Sequence, residues 1–431
     1  METEFPRLQA TMISLDRIRG MVMGAAVGDA LGALRELRFN NNSEYKGWMY
    51  CGQIIGSRFS PSITLAIGQV TDDTEMMITG CRSLIERGRY DRDYVTMAYI
   101  KWANSGTRCL GKNTRALLKG ISTMGGYLTR YNKEFVGDSS TWTQSDGALM
   151  RCAFLALLPM YPSADSKTPI VIPKIVIGES SSSPAACSPS PSPGAYPSPT
   201  SLPPSHAMYP SYSSSPTSLP PSHAMYPSYS SSPTSLPPSH AMYPSYSPTP
   251  PSPPSSPWVE DCTITNPSPA AIDTNIVYLT VLRSILLGNT DRSSLLSIAK
   301  DTAKSPKVIE MIDIVMKGGP WTAASGATKG WCLNGLYCTL VSLKHLKSYE
   351  ECMHFVVQIP NSDSDTNACI AGAVMGALLG YDAINKERFT SHNIKTVRGC
   401  DTRTGQMPRQ PEYGLDDFDS LMEALFKFAN K

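Results

Sequence analysis

The sequence predicts an all-α fold, and three observations carry that prediction. Segment after segment places apolar residues three or four apart, the period of one helix face. No hairpin signal with flanking alternation interrupts them. The one long stretch unable to form helix is chemically unlike the rest: residues 180–259 hold no Asp, Glu, Lys or Arg.

In chain order, helical periodicity covers 16–34, 74–87, 94–104, 113–123 and 147–160 before that stretch. After it the same period covers 272–287, 293–303, 307–317, 329–346, 348–358 and 366–380. The first and last helices carry stripes of small residues. Gly20, Gly24, Gly28 and Gly32 lie four apart, as do Ala368, Gly372, Gly376 and Gly380. Positions i and i+4 share a face, so each helix shows a smooth groove. Glycine inside a helix costs about 0.8–1 kcal/mol relative to alanine. Four on one stripe therefore require another backbone packed against them, and the two helices are expected to cross on each other. Run antiparallel, they bring Glu36, just past the first, to Asp363, Asp365 and Thr366 at the start of the last.

The charge-free stretch holds 23 of the 36 prolines. Within it the unit Pro-Thr-Ser-Leu-Pro-Pro-Ser-His-Ala-Met-Tyr-Pro-Ser-Tyr-Ser begins at Pro199, Pro216 and Pro233. So many prolines remove backbone donors and fix φ, so the segment reads as disorder with polyproline-II character. Residues 169–177, just before it, alternate weakly and read as a short edge strand. The domain plan is a tail at 1–11, one core formed by 12–162 and 258–427, and an inserted loop at 163–257. Lengthening a connection from about 5 to about 80 residues adds only about 2.4 kcal/mol of closure entropy. His206, His223 and His240 read as copies carried along with the repeat rather than as metal ligands. The repeats suit aromatic-lined, proline-recognising modules; a repeat expansion without function fits them equally.

Charge is balanced, 38 Lys+Arg against 36 Asp+Glu, which argues against nucleic acid or an anionic membrane as main partner. The longest apolar run, Ala368 to Leu379, is shorter than the roughly 20 residues a bilayer needs. The N-terminus lacks the pattern of a signal peptide. Eleven cysteines without a Cys-x-x-Cys imply reduced core thiols and an intracellular, cytoplasmic setting.

Chemistry resides in the carboxylates. Thr71-Asp72-Asp73-Thr74-Glu75 opens an apolar helix, and Asp72 with Glu75 has the spacing of a capping box. Asp365 or Ser364 could cap the last helix in the same way. Taken together, two adjacent carboxylates and two threonine hydroxyls exceed what capping needs. Asp363 and Asp365, two apart in an extended segment, project to one side. Oxygen-only ligands of this kind suit Mg²⁺ or Mn²⁺.

These motifs resemble those of the ADP-ribosylglycohydrolase family. The resemblance rests on Gly28-Asp-Ala-Leu-Gly32 with Glu36, Thr71-Asp-Asp-Thr-Glu-Met, Leu110-Gly-Lys-Asn-Thr-Arg115, Asp146-Gly-Ala-Leu-Met-Arg151, and Asp363-Ser-Asp-Thr366 before Ala-Gly-Ala. It covers nearly the whole chain except the insertion and the tails. It implies a multi-helix bundle with a dinuclear metal site and hydrolytic removal of ADP-ribose from a protein side chain or a small conjugate. Thr71, Asp72, Asp73, Asp363, Asp365 and Thr366 would be ligands of two Mg²⁺ ions, with Mn²⁺ as the alternative. Asp73 or Asp365 would act as base, with Glu36 as the alternative or as a ligand or gate. Ser145, Asp146 and Gly147 would approach the ADP-ribose phosphates through backbone amides, and Asp29 would brace the site. The chain departs from the family pattern at Asp146, Phe154, Asn266 and Ser362, none of them a ligand. Two other readings compete: a non-catalytic ADP-ribose-binding protein on this fold, and an unrelated two-metal phosphohydrolase.

Overall fold

Two helices buried along most of their length form the central axis of the helical unit made by residues 1–175 and 252–431: α1 (Leu15–Glu36) and α12 (Ser364–Leu379). The computed structural model describes residues 12–36, 45–57, 60–135, 143–159, 256–321 and 328–431. The tail 1–11, the repeats and the strand expected at 169–177 lie outside those residues.

Backbone meets backbone along the axis. A Cβ at Gly20 would stand 2.1 Å from the Gly376 carbonyl oxygen, and one at Gly24 2.3 Å from that of Gly372. Gly28 faces Ala368 at 2.1 Å and Gly32 faces Ser364 at 2.3 Å in the same way. The pairing runs antiparallel, stripe on stripe, and brings the end of α1 to the start of α12. Ser364 seals the junction by donating its hydroxyl to the Gly32 carbonyl at 2.8 Å.

Around this axis stand α2 (Asp72–Arg87), α3 (Arg92–Ala103), α4 (Lys112–Leu118) and α5 (Met124–Phe135). Beyond the insertion follow α6 (Pro257–Thr265), α7 (Pro269–Leu286), α8 (Arg292–Thr302), α9 (Pro306–Lys317), α10 (Cys332–His345) and α11 (Tyr349–Val357). After α12 come α13 (Tyr381–Ile384), α14 (Arg388–Arg398) and α15 (Phe418–Ala429). The fold is all-α, as periodicity predicts.

Four expectations need correction. Residues 147–160 do not form one helix; they make two 3-10 turns, Asp146–Ala148 and Cys152–Leu157. Arg151, between the turns, is fully buried and anchors this segment from its middle. A hairpin does exist: β1 (Ile54–Ser57) pairs antiparallel with β2 (Ser60–Thr64), with a register irregularity between Ile55 and Ser57. Its sequence does not alternate, so period gave no sign of it. Ser256 and Pro257, read as insertion, are the cap and first residue of α6: the Ser256 hydroxyl accepts from the Trp258 amide at 3.3 Å. Charge-free composition does not distinguish a loop from a helix start. Finally, α15 continues past 427 to Ala429, and Asn430 binds the Ile13 amide at 2.8 Å.

Candidate active site

An acidic site assembles where the second half of α1 meets the N-termini of α2 and α12. Asp29, fully buried on α1, accepts from the Thr71 amide at 2.9 Å and its hydroxyl at 2.7 Å. It also accepts from the Thr74 amide at 3.2 Å and hydroxyl at 2.6 Å. These amides are among the donors a helix start leaves without partners, so α2 is capped by a carboxylate from another helix. Burial raises the pKa of Asp29, against the four hydrogen bonds that favour its charged form.

The capping box expected of Asp72 and Glu75 does not form. Thr71 is the cap residue, and Asp72 and Asp73 are the first two helical residues. Glu75 instead binds Arg409 through both oxygens, at 2.7 and 2.8 Å, and accepts from the Trp102 indole at 2.7 Å. At α12, Asp363 holds the cap position without a side-chain capping bond. The turn before it runs through Asn361 at φ 55°, a left-handed conformation that asparagine tolerates. Ser362, which departs from the family pattern, is buried there and donates to the Ile359 carbonyl at 2.9 Å.

Asp73 is the most constrained carboxylate of the site. It is 1% exposed, and its Oδ1 has no hydrogen-bond partner. Burial, then the charges of Asp29 and Asp72, push its carboxyl well above the usual range; Asp363 adds to this and the Thr366 hydroxyl opposes it. Thr71 Oγ1 lies 2.7 Å from Asp29 and 3.0 Å from Asp73. A hydroxyl has one proton to donate, so it cannot satisfy both ionised carboxylates. Cys109 and Cys369 are also near. Burial foremost, then these acidic groups, raises both thiols well above their ordinary value. The remaining groups of the cluster, carboxylates and threonine hydroxyls, offer oxygen donors, which suit a hard cation.

Asp363 Oδ2 lies 2.9 Å and Asp146 Oδ1 3.7 Å from the Cβ position of Gly330, so both carboxylates converge on that glycine. Gly111 donates its amide to Asp72 at 3.4 Å, which places the Leu110–Arg115 motif beside the cluster. The segment 145–147 is held differently from the expectation. The Ser145 amide donates to Thr143 Oγ1 at 3.2 Å and the Asp146 amide to the Gly330 carbonyl at 3.1 Å. Two of the three amides expected at phosphates are therefore engaged within the chain. Asn266, at a departure from the family pattern, donates to the Ser145 carbonyl and hydroxyl, each at 3.0 Å. Arg151 donates to the Gly147 carbonyl at 2.6 Å and pairs with Asp261 at 3.1 Å, both side chains fully buried.

Thr71, Asp72, Asp73, Asp363 and Thr366 thus share one neighbourhood, and Asp365 stands beside Gly32 at the same junction. Glu36 closes α1, and its side chain lies outside the described residues. Sequence reasoning missed Arg409 and Gly330. No periodic or motif signal marks either one; each is recruited by the fold from a remote position.

A sequence model described as ADP-ribosylglycohydrolase matches residues 10–171 and 257–398, both sides of the insertion. The chain belongs to the ADP-ribosylglycohydrolase family. It is 30% identical over 150 residues to the ADP-ribosyl-[dinitrogen reductase] glycohydrolase of Rhodospirillum rubrum, covering 35% of this chain and 47% of the relative. It is 27% identical over 146 residues to an ADP-ribosylarginine hydrolase of Pseudomonas putida, covering 32% and 37%. The matched stretch thus spans less than half of each relative. A solved structure titled ADP-ribosylglycohydrolase-related protein complex superposes with TM-score 0.53 and 17% identity, over 96% of this chain and 98% of the other. That likeness establishes a shared ADP-ribosylglycohydrolase fold.

Among the described residues, no three His, Cys, Asp or Glu side chains form a group able to hold a metal ion by themselves. Mg²⁺ does not require one: it usually keeps several waters and takes one or two carboxylates. A buried carboxylate oxygen without a partner, ringed by carboxylates and threonine hydroxyls, fits such an ion in an ADP-ribosylglycohydrolase. No described helix is long and apolar enough to cross a membrane.

Proposed function

We propose that this chain hydrolyses the glycosidic bond at ribose C1″ of ADP-ribose attached to a protein side chain. We further propose that Thr71, Asp72, Asp73, Asp363, Asp365 and Thr366 hold two Mg²⁺ ions, with Mn²⁺ as a substitute. The observation that carries this reading is the buried, unpartnered Oδ1 of Asp73 among like-charged groups. A buried polar atom of that kind costs stability unless a ligand completes it. When bound, the cations supply a grip on ribose hydroxyls and lower the pKa of coordinated water.

The chain's own groups do the rest. Asp29 locks Thr71 and Thr74, so the start of α2 cannot turn when substrate arrives. Asp73 or Asp365 accepts one proton of the attacking water, whose oxygen bonds C1″ while the bond to the side chain breaks; the side-chain nitrogen or oxygen leaves with the bonding pair and takes up a proton, so that one water is added across the bond. Glu36 is a third candidate for that role. The two relatives are named for a modified protein and for modified arginine, which supports an ADP-ribosylated protein as substrate class.

Peptides carrying ADP-ribose on Arg or Ser, incubated with and without Mg²⁺, test the proposal. Mg²⁺-dependent release of ADP-ribose from at least one conjugate is expected. Mg²⁺ and ADP-ribose together should raise Tm beyond either alone, since ligand at a hundredfold its Kd adds about 2.7 kcal/mol. No release from any conjugate with either metal, and no shift, would overturn the reading.

A further inference from the structure

We infer that Arg409, which lies beyond the residues matched by the family's sequence model, is a positioning residue for the acidic site and acts through Glu75. The family match ends at residue 398. Arg409 comes back from that C-terminal segment to the first turn of α2, two residues after Asp73. Its guanidinium donates to Glu75 Oε1 at 2.7 Å and Oε2 at 2.8 Å. The same fork donates to the Ser105 carbonyl at 2.9 Å and hydroxyl at 2.8 Å. Side chains of the pair are 3% and 2% exposed. Trp102 adds a third donor to Glu75 at 2.7 Å. A planar, bidentate fork fixes the orientation of a carboxylate as well as its charge.

That orientation reaches the site because Asp72 and Glu75 are three apart on one helix and share a face. Any rotation of the first turn that released Glu75 would swing Asp72 away from Gly111. The chain leading into α2 is fastened by the same C-terminal segment. Gln69 donates to the Met407 carbonyl at 2.8 Å, and the Gln406 amide to the Thr64 carbonyl at 2.8 Å. Gly405 lies so close to the Ala66 amide that a Cβ would stand 2.4 Å from its nitrogen. Arg409 also cancels a charge. Without it Glu75 would add a further buried anion beside Asp29, in a cluster that already repels itself.

This inference rests on the reading of the cluster as a cation site, so the test separates the two. Mg²⁺ binding is measured by calorimetry, and the Mg²⁺-dependent Tm shift by melting, on the full chain. The variants are Arg409→Lys, which keeps the charge but loses the fork, and Arg409→Gln with Glu75→Gln, which buries no charge. Arg409→Lys is expected to stay helical and bind Mg²⁺ about 10-fold or more weakly, the usual effect of losing a group behind a ligand. At saturating Mg²⁺ its kcat should recover while KM stays raised. A folded Arg409→Lys that binds Mg²⁺ as tightly as the wild type overturns the inference and leaves the cation reading standing. If Arg409→Lys does not fold, the double variant is read by the same rule; failure of both to fold marks the pair as structural alone and also overturns the inference. A wild type that binds no Mg²⁺ removes the cation reading itself, and the inference with it.

Discussion

Asp29 and Asp73 are buried aspartates of one cluster, yet the chain treats them oppositely. Asp29 accepts four hydrogen bonds from Thr71 and Thr74, whereas Asp73 keeps an oxygen with none. A saturated carboxylate is a fastening; one left short among like charges is, on the reading proposed above, the place where a cation binds. The two therefore should respond differently to the same change. Asp73→Asn relieves repulsion, so the metal-free protein should melt no lower than wild type while hydrolysis and the Mg²⁺-dependent shift disappear. Asp72→Asn, Asp363→Asn and Asp365→Asn should likewise give folded, inactive proteins. Asn caps helices about as well as Asp, so wild-type activity in both Asp72→Asn and Asp365→Asn would remove the two-metal mechanism. Asp29→Asn instead turns an amide toward donors and should lose on the order of 1–3 kcal/mol in a denaturant melt. Full stability there would show that Asp29 fastens nothing. The acidic motifs were legible because their residues are neighbours in sequence. The role of Glu75 was not, since its spacing from Asp72 also spells a capping box and its partner Arg409 lies 334 positions away.

Glycine stripes on α1 and α12 turn two ordinary helices into a site-building device. The close approach sets where α12 begins relative to α1, and hence where Asp363 and Asp365 stand relative to Asp29. Adding one methyl group tests this. In an isolated helix Gly24→Ala would gain about 1 kcal/mol. Here its Cβ would stand 2.3 Å from the Gly372 carbonyl oxygen, on backbone that has no room to yield. A net loss of about 1–3 kcal/mol is expected, and more for larger side chains. Gly32→Ala, 2.6 Å from the Asp365 Cα, should lower activity as well as Tm. A Gly24→Ala protein more stable than wild type would mean that the helices are not held at this distance. This element pair could be foreseen because the stripe repeats at the helical period and its cost demands a partner. The 3-10 turns at 146–157 could not, since a tight turn also spaces apolar residues by three. In that segment the Phe154 ring lies over Gly80 of α2, with Cε1 2.3 Å from the Cβ position there.

The core stays whole across a 96-residue interruption (160–255) because both banks are fastened to each other. Arg151 on one side pairs with Asp261 on the other, both fully buried, and donates to the Asp261 carbonyl at 2.8 Å. Trp258 donates its indole N–H back to the Leu155 carbonyl at 2.9 Å. Removing one member of such a buried pair costs about 3–5 kcal/mol, so the junction does not depend on what joins it. Closing a shorter loop is slightly favourable in entropy, by about 0.6 kcal/mol per halving. Deleting 180–250 and joining the ends with a short flexible linker should therefore leave Tm and hydrolysis close to wild type. Deleting the whole charge-free run, 180–259, should behave quite differently. It removes the Ser256 cap, worth about 1 kcal/mol, and the buried Trp258, in a class of loss of about 3–5 kcal/mol. Against a total stability of about 5–15 kcal/mol, that variant should be poorly folded. Circular dichroism melting and ADP-ribose release on the two deletions decide the matter. An insoluble or inactive 180–250 deletion would make the insertion part of the core or of the site. Equal behaviour of both deletions would mean that the clamp around Trp258 contributes nothing.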